Sequence, residues 1–232
     1  MFFKNLVTLF SGTLIAQIIP LLVAPVLTRL YSPSEFGIYG VFLALIGFST
    51  VLATFRYDFA LAQADTEKDS QDLLFLTALI SALVSISILV LGVINQFIYE
   101  LTEAIPSTYF FLVGLSTLLL GIAQSVTYFS NRNNKFSLIA KLKVLQALVG
   151  SVAMLSLSNL SVSGLVVGHI IGQLVFLLFF LFVVSSIKVN LKSVILMAKK
   201  YSVYPKTSLP GAVFNSGFLQ MPVVFINAMY EP

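Results

Sequence analysis

Apolar positions run along this chain in blocks of about twenty residues, the length a helix needs to cross a roughly 30 Å hydrocarbon layer. The blocks cover residues 6–30, 36–55, 73–98, 109–129, 136–157 and 164–187, with short polar breaks between them. A seventh run, from about residue 208 to 230, is apolar enough but ends with the chain. Strict two-residue alternation over about ten positions, the mark of a membrane β-strand, is absent. The pattern predicts an all-α integral membrane protein, a six-helix transmembrane bundle plus an incomplete seventh span. The first block exceeds the roughly 7 to 15 apolar residues of a signal peptide and has no small-residue cleavage pattern, so it reads as a retained span.

Three segments follow: a bundle over 1–187, a linker over 188–203, and the start of a second bundle over 204–232. In the linker, KVNLKSVILMAKK sets Leu191, Val194, Ile195 and Ala198 on one helical face and Lys188, Lys192 and Lys199 on the other. That pattern predicts a helix lying on an anionic inner leaflet.

Composition fits lipid as the main solvent. Of the 232 residues 58% are hydrophobic and 9% charged, where a soluble domain carries roughly a quarter charged. The net charge of +4 does not indicate nucleic acid, because the basic residues stand at the edges of apolar runs rather than in a cluster with stacking aromatics. They do orient the chain. If the N-terminus is cytoplasmic, every one of the 13 Lys and Arg except Arg29 falls on the cytoplasmic side, as positive loops do. All 9 tyrosines fall near predicted span ends, where aromatic belts form. The hairpin TRLYSPSEFGIYG (28–40) then lies outside, with Pro33 breaking the helix, Ser34 and Glu35 capping the next one, and Tyr31 and Tyr39 at the headgroups.

Candidate chemistry is sparse. Cysteine is absent and there is one histidine, which leaves no disulfide, thiolate or zinc site. No nucleophile triad or glycine-rich phosphate loop is visible, so no enzyme and no cofactor is expected. Pro20 and Pro25 should bend or unwind the first span, as a static kink or as a hinge. Gly164, Gly168 and Gly172 recur every four residues and predict close helix packing, with His169 and Gln173 beside that face. His169 is either a hydrogen-bonded structural residue or a proton relay. No Asp or Glu sits mid-span, whereas Gln17, Thr50, Ser85, Gln124, Gln146 and Asn215 do; these pair between helices or line a cavity. Arg29, Arg56, Lys141 and Lys143 lie close to the hydrocarbon. They either snorkel to headgroups or furnish a cationic cavity for a phosphate-bearing substrate. For Lys141 and Lys143, a span that begins near Val144 is a further option.

The hairpin YSPSEFGIYG (31–40), FRYDFAL (55–61) with the acidic loop after it, and YPKTSLPGAVFNSGFLQMPVVF (204–225) resemble the N-terminal half of polysaccharide flippases. These are the O-antigen and capsule repeat-unit transporters of the multidrug/oligosaccharidyl-lipid/polysaccharide exporter superfamily. The resemblance implies one lobe of a two-lobed exporter in the bacterial cytoplasmic membrane. It also implies flipping of an undecaprenyl-pyrophosphate-linked oligosaccharide from inner to outer leaflet by alternating access. The implied partners are membrane lipid, the lipid-linked oligosaccharide, and a polysaccharide polymerase or glycosyltransferases. Arg29, Arg56 and Lys141, with Gln17 and Gln124, are the candidate substrate contacts, and Pro20 and Pro25 the hinge. Family members generally have twelve or more spans, so a chain ending in the seventh run is expected to be a truncated copy, inactive alone. A four-residue echo of Leu30–Pro33 in Met229–Pro232 fits a second repeat beginning there. A cation-coupled multidrug exporter of the same superfamily and a non-transporting scaffold of a glycan-assembly complex are the alternatives.

Overall fold

The computed structural model describes residues 2–98, 107–185, 187 and 190–229. Tyr99, Lys188 and the tail Tyr230–Pro232, and with the tail the echo of the first hairpin, lie outside these residues, as does the side chain of Lys4. Among the described residues every regular element is helical: α1 (Phe2–Leu30), α2 (Pro33–Ala53), the short α3 (Tyr57–Ala62), α4 (Glu67–Ile98), α5 (Ser107–Arg132), α6 (Phe136–Ser156), α7 (Val162–Val184), α8 (Leu191–Lys200) and α9 (Val203–Met229), with a 3₁₀ turn over Ser158–Leu160. The six that are long and apolar enough to cross a membrane are α1, α2, α4, α5, α6 and α7, in the order the apolar blocks predict.

The bundle has two flanks. On one, α4 and α5 pack along each other with α2 against both; on the other, α1 lies mainly on α6 and α6 on α7, and the α5–α7 contact joins the flanks. We call the end holding the α3–α4 loop, the α5–α6 turn and α8 the basic end, and the opposite one the hairpin end.

Close packing on the second flank follows from glycine. A Cβ at Gly168 would strike the Met154 backbone, and one at Gly172 would meet the backbones of Gln146 and Gly150, so α6 and α7 touch main chain to main chain. Gly12 likewise admits Ala140, seating α1 on α6. On the first flank, small hydroxyls link the helices: Ser49 and Thr117 share a hydrogen bond of 2.6 Å, Ser81 donates to the Ala53 carbonyl (2.9 Å) and Ser85 to that of Gly114 (2.7 Å). The apolar core gathers at the basic end around Leu61, Leu73, Leu74, Val126 and Phe176, all at most 2% exposed.

The hairpin end departs from the sequence reading in two details. The α2 cap is Ser32, whose Oγ accepts from the Glu35 amide (3.3 Å) while the Glu35 carboxylate accepts from the Ser32 amide (2.6 Å). Pro33 occupies the first helical turn, so the capping box opens one position before it rather than at Ser34. Tyr31 is 3% exposed, not spread at the headgroups, and donates to the Met154 carbonyl (2.7 Å). That carbonyl lies in the last turn of α6 and has no helical donor. The first helix runs unbroken through Pro20 and Pro25, so neither proline unwinds it.

At the basic end, α8 buries Val194 and Met197 and leaves Leu191, Ile195 and Leu196 exposed beside Lys192 and Lys199. Only part of the expected apolar face therefore turns outward. Lys200 bonds Asp65 and Asp69 (2.7 and 2.6 Å), Tyr57 donates to the Ala198 carbonyl and Tyr204 to Gln63. The seventh run does find a partner: α9 lies along α2, with Gln220 over Gly47 and Ser216 donating to the Gly47 carbonyl (3.3 Å). Asn215, Phe214 and Phe218 on its outer side stay exposed.

Candidate functional site

A cleft of about 560 Å³ opens between α1, α2, α6 and α7. Its polar lining comes from Thr13 and Gln17 on α1, Tyr39 on α2, Lys143, Gln146 and Ser151 on α6, and His169 on α7. Helical spacing assembles it: Lys143, Gln146 and Gly150 follow at i, i+3 and i+7, one stripe of α6. The glycine contact then brings α7 near enough to add His169. Tyr39 Oη and His169 Nδ1 share a hydrogen bond of 3.1 Å, and the buried Nε2 has no partner among the described residues. Pro20 and Ala16 also line the cleft. Proline has no amide proton, so the Ala16 carbonyl beside the cleft lacks its helical donor.

Among the described residues, Lys143 has neither a hydrogen bond nor an ion pair. It stands seven residues into α6, roughly 10 Å along the axis from the helix start. The helix already begins at Phe136, so Lys143 does not belong to a loop before the span. An ammonium there, half-buried and without a counter-charge, is costly to maintain in a membrane and attracts an anion. Gln17 and Gln146 also lack protein partners among the described residues, so their amides are free to bind hydroxyls or phosphate oxygens.

A second polar centre lies at the basic end. The chain leaves α2 through Phe55 (φ 46°) and Arg56 (φ 63°), a left-handed conformation unfavourable for such side chains. The break turns Asp58 inward until it is 0% exposed. Thr54 donates to its Oδ1 (2.9 Å) and Gln124 Nε2 to its Oδ2 (2.6 Å). Arg56 does not pair with it. The guanidinium sits over the Phe59 ring at 5.1 Å, and its buried Nε has no partner among the described residues.

The structure thus separates the five residues singled out in the sequence. Gln17 lies in the cleft, and Arg56 and Gln124 flank Asp58. Lys141 is exposed in a shallow groove between α1 and α6, lined also by Ser11 and Ile15, on the side turned from the cleft. Arg29 is exposed in the last turn of α1, outside the cleft. Of the two hinge prolines, Pro20 touches the cleft and Pro25 does not. Sequence reasoning noted Lys143, Gln146 and His169 without placing them together, and missed Asp58 and the inward turn of Tyr39. Lys141 and Lys143 are two residues apart and so face roughly 200° apart on a helix. The stripe through Gln146 and Gly150 was the available signal for the second lysine.

A family model described as "Polysaccharide biosynthesis protein" matches residues 26–232. No curated protein and no solved structure matches the chain. The chain belongs to this polysaccharide biosynthesis protein family and is a helical, multi-span membrane protein.

Proposed function

We propose that this polysaccharide biosynthesis protein moves an oligosaccharide linked to undecaprenyl pyrophosphate from the cytoplasmic to the outer leaflet, and that the α1/α2/α6/α7 cleft receives the polar part of that substrate. The observation that carries the reading is the Lys143 ammonium, unpartnered among the described residues, in a cleft whose other polar lining is neutral hydrogen-bonding groups. A fixed cation complements pyrophosphate, and amides and hydroxyls complement a glycan. The chemistry required is desolvation and reorientation of a large anion, not bond cleavage, so the protein acts as a transporter. Alternating access would expose the cleft to each leaflet in turn, with Pro20 as the flexible point of its α1 wall. The basic end faces the cytoplasm in this reading, and α8 rests on the inner leaflet through Leu191, Ile195, Lys192 and Lys199.

A chromosomal Lys143→Met substitution in the native host tests this. Loss of a charged hydrogen bond costs about 1.5–3 kcal/mol, or roughly 10- to 150-fold in binding. Surface polysaccharide should therefore fall at least about tenfold at unchanged protein level, while lipid-linked intermediate accumulates at the cytoplasmic leaflet. Lys141→Met, on the outer face of the same helix, should leave export intact. Equal behaviour of the two variants would remove the cleft from the mechanism.

A further inference from the structure

We propose that the groove on the outer face of α1 and α6 seats an anionic glycerophospholipid of the bilayer, its phosphodiester at Lys141 and the upper part of one acyl chain lying toward Leu148. The site lies apart from the cleft, holds a lipid of the bilayer and not the transported one, and does not depend on the function proposed above.

Small residues create the groove, which encloses about 380 Å³. Gly12 and Ala140, both buried, form its floor where α1 and α6 closely approach. Along α1, Thr8, Ser11 and Ile15 follow at i, i+3 and i+7; along α6, Ser137, Lys141, Leu145 and Leu148 follow at i, i+4, i+8 and i+11. Each set is one stripe of its helix. Both helices start at the basic end, so the stripes run side by side, and each is polar first and apolar after. Thr8 and Ser137 are the second residues of their membrane-length segments, Val7–Leu30 and Phe136–Ser156. That puts the hydroxyls and the ammonium in the headgroup layer and the aliphatic side chains below it. From Ser137 to Leu148 the α6 wall descends roughly 16 Å, about the hydrocarbon depth of one leaflet. Ile15, Leu145 and Leu148 are about half exposed, so the groove opens sideways to acyl chains.

Charge complementarity names the headgroup. Lys141 is exposed at the polar end and has neither a hydrogen bond nor an ion pair among the described residues. Ser137, one turn before it, has no hydrogen bond among them either. No carboxylate stands among the described lining residues. A phosphodiester therefore meets an ammonium and a hydroxyl, whereas the cation of a choline or ethanolamine headgroup meets no counter-charge. Snorkelling alone would carry a lysine to the headgroups from any lipid-facing position. The groove adds two stripes graded in the same direction over a shared floor. It also gives the lipid a structural task, because α1 is the least covered of the six membrane-length helices and rests mainly on α6. A lipid that touches both helices clamps α1 in place. Its loss is read in lipid selectivity and in stability.

The chain has no tryptophan, so Leu145→Trp places a single fluorescent reporter in the groove of the full-length protein. The purified protein is reconstituted in mixed phosphatidylcholine and phosphatidylglycerol vesicles with brominated chains on one lipid or the other. Brominated phosphatidylglycerol should quench with roughly fivefold higher relative affinity, the preference expected of one lysine near the surface. Lys141→Gln should abolish the preference and Lys141→Arg should keep it. Leu83→Trp, exposed on α4, should show none. Phosphatidylglycerol should also raise the unfolding temperature of the unmodified protein and not that of Lys141→Gln. Leu148→Trp replaces the first reporter if Leu145→Trp fails to fold. Equal quenching by the two lipids would make the groove ordinary bilayer contact and overturn the proposal. A preference that survives Lys141→Gln, or that appears equally at position 83, would overturn it too. Relief of quenching by a trace of polyprenyl phosphate would give the groove to the transported lipid and likewise overturn it.

Discussion

The two flanks of the bundle use polar residues in opposite ways. In the α2/α4/α5 flank Ser49, Thr117, Ser81 and Ser85 are buried, and each hydroxyl bonds across to another helix. In the α1/α6/α7 flank Gln17, Lys143, Gln146 and one nitrogen of His169 meet in a cleft with no protein partner among the described residues. Coverage differs in the same sense: half of the most apolar window of α5 is buried inside the protein, against 6% for α1. A hydroxyl tied to a carbonyl across a helix interface holds the bundle together. An amide or ammonium facing a cavity contributes nothing to the fold unless something else enters. Pairing, more than polarity, separates the structural groups from those available to a ligand.

The largest expected effect comes from forcing the second flank apart. Gly168→Leu drives a side chain into the Met154 backbone and should destabilise the protein by about 3 kcal/mol, read as loss of accumulated protein and a lower unfolding temperature. Next in size is a matched pair of substitutions. Thr117→Val breaks the Ser49 bond and should cost about 1 kcal/mol, while polysaccharide output changes only in step with protein amount. Gln146→Leu should do the reverse, leaving thermal stability unchanged and lowering output per molecule. Crossed results would dissolve the distinction between the flanks.

Gln173 sharpens the comparison because it breaks the pattern. It is 0% exposed on α7, and neither its Oε1 nor its Nε2 has a partner among the described residues. A buried amide left unpaired is a net cost, so Gln173→Leu should raise stability by about 1 kcal/mol in a denaturation series. A fall in stability would show that the amide is satisfied in the membrane.

The smallest effect concerns the clasp at the basic end. The hydrogen bond from Lys200, then its charge, holds the Asp65 carboxyl below its ordinary value. Bonds to Asp65 and Asp69 push Lys200 above its own. The Asp65 contribution is therefore present above the ordinary carboxylate range and lost as pH falls through the lower folded value. The Lys200 contribution is present below the ordinary amine range and lost as pH rises through the higher one. The clasp should hold between about pH 4 and about pH 10. Asp65→Asn should differ slightly from the wild type in unfolding temperature at neutral pH and not at all in strong acid. Solvent screens these exposed groups, so the difference will be small.

The six spans, the basic end and the close-packing glycine face of α7 were legible in the sequence, because each rests on length, charge or a fixed residue interval; that α6 is the partner was not. Side-chain destinations were less so. Tyr31 looked interfacial because it lies at a span end, but the last-turn carbonyl of α6 drew it inward. Asp58 drew no assignment because nothing in FRYDFAL signals two successive left-handed residues. Lys141 and Lys143 were equivalent as charges, and only the facing of α6 against α1 and α7 distinguished them.

The glycine seam has a mechanical consequence. A helix contact made of side chains can slide, because rotamers adjust as one surface moves over the other. Gly150, Gly168 and Gly172 have no rotamers, and backbone against backbone offers one seating. In the transport cycle proposed above, α6 and α7 would travel as a single rigid jaw, with Lys143 and His169 at a constant separation. Displacement would be left to the opposing jaw, where α1 lies along α6 with Gly12 closely approaching Ala140. A bulkier residue at position 12 would move that fulcrum and reset the bite of the cleft without touching any group that lines its polar face.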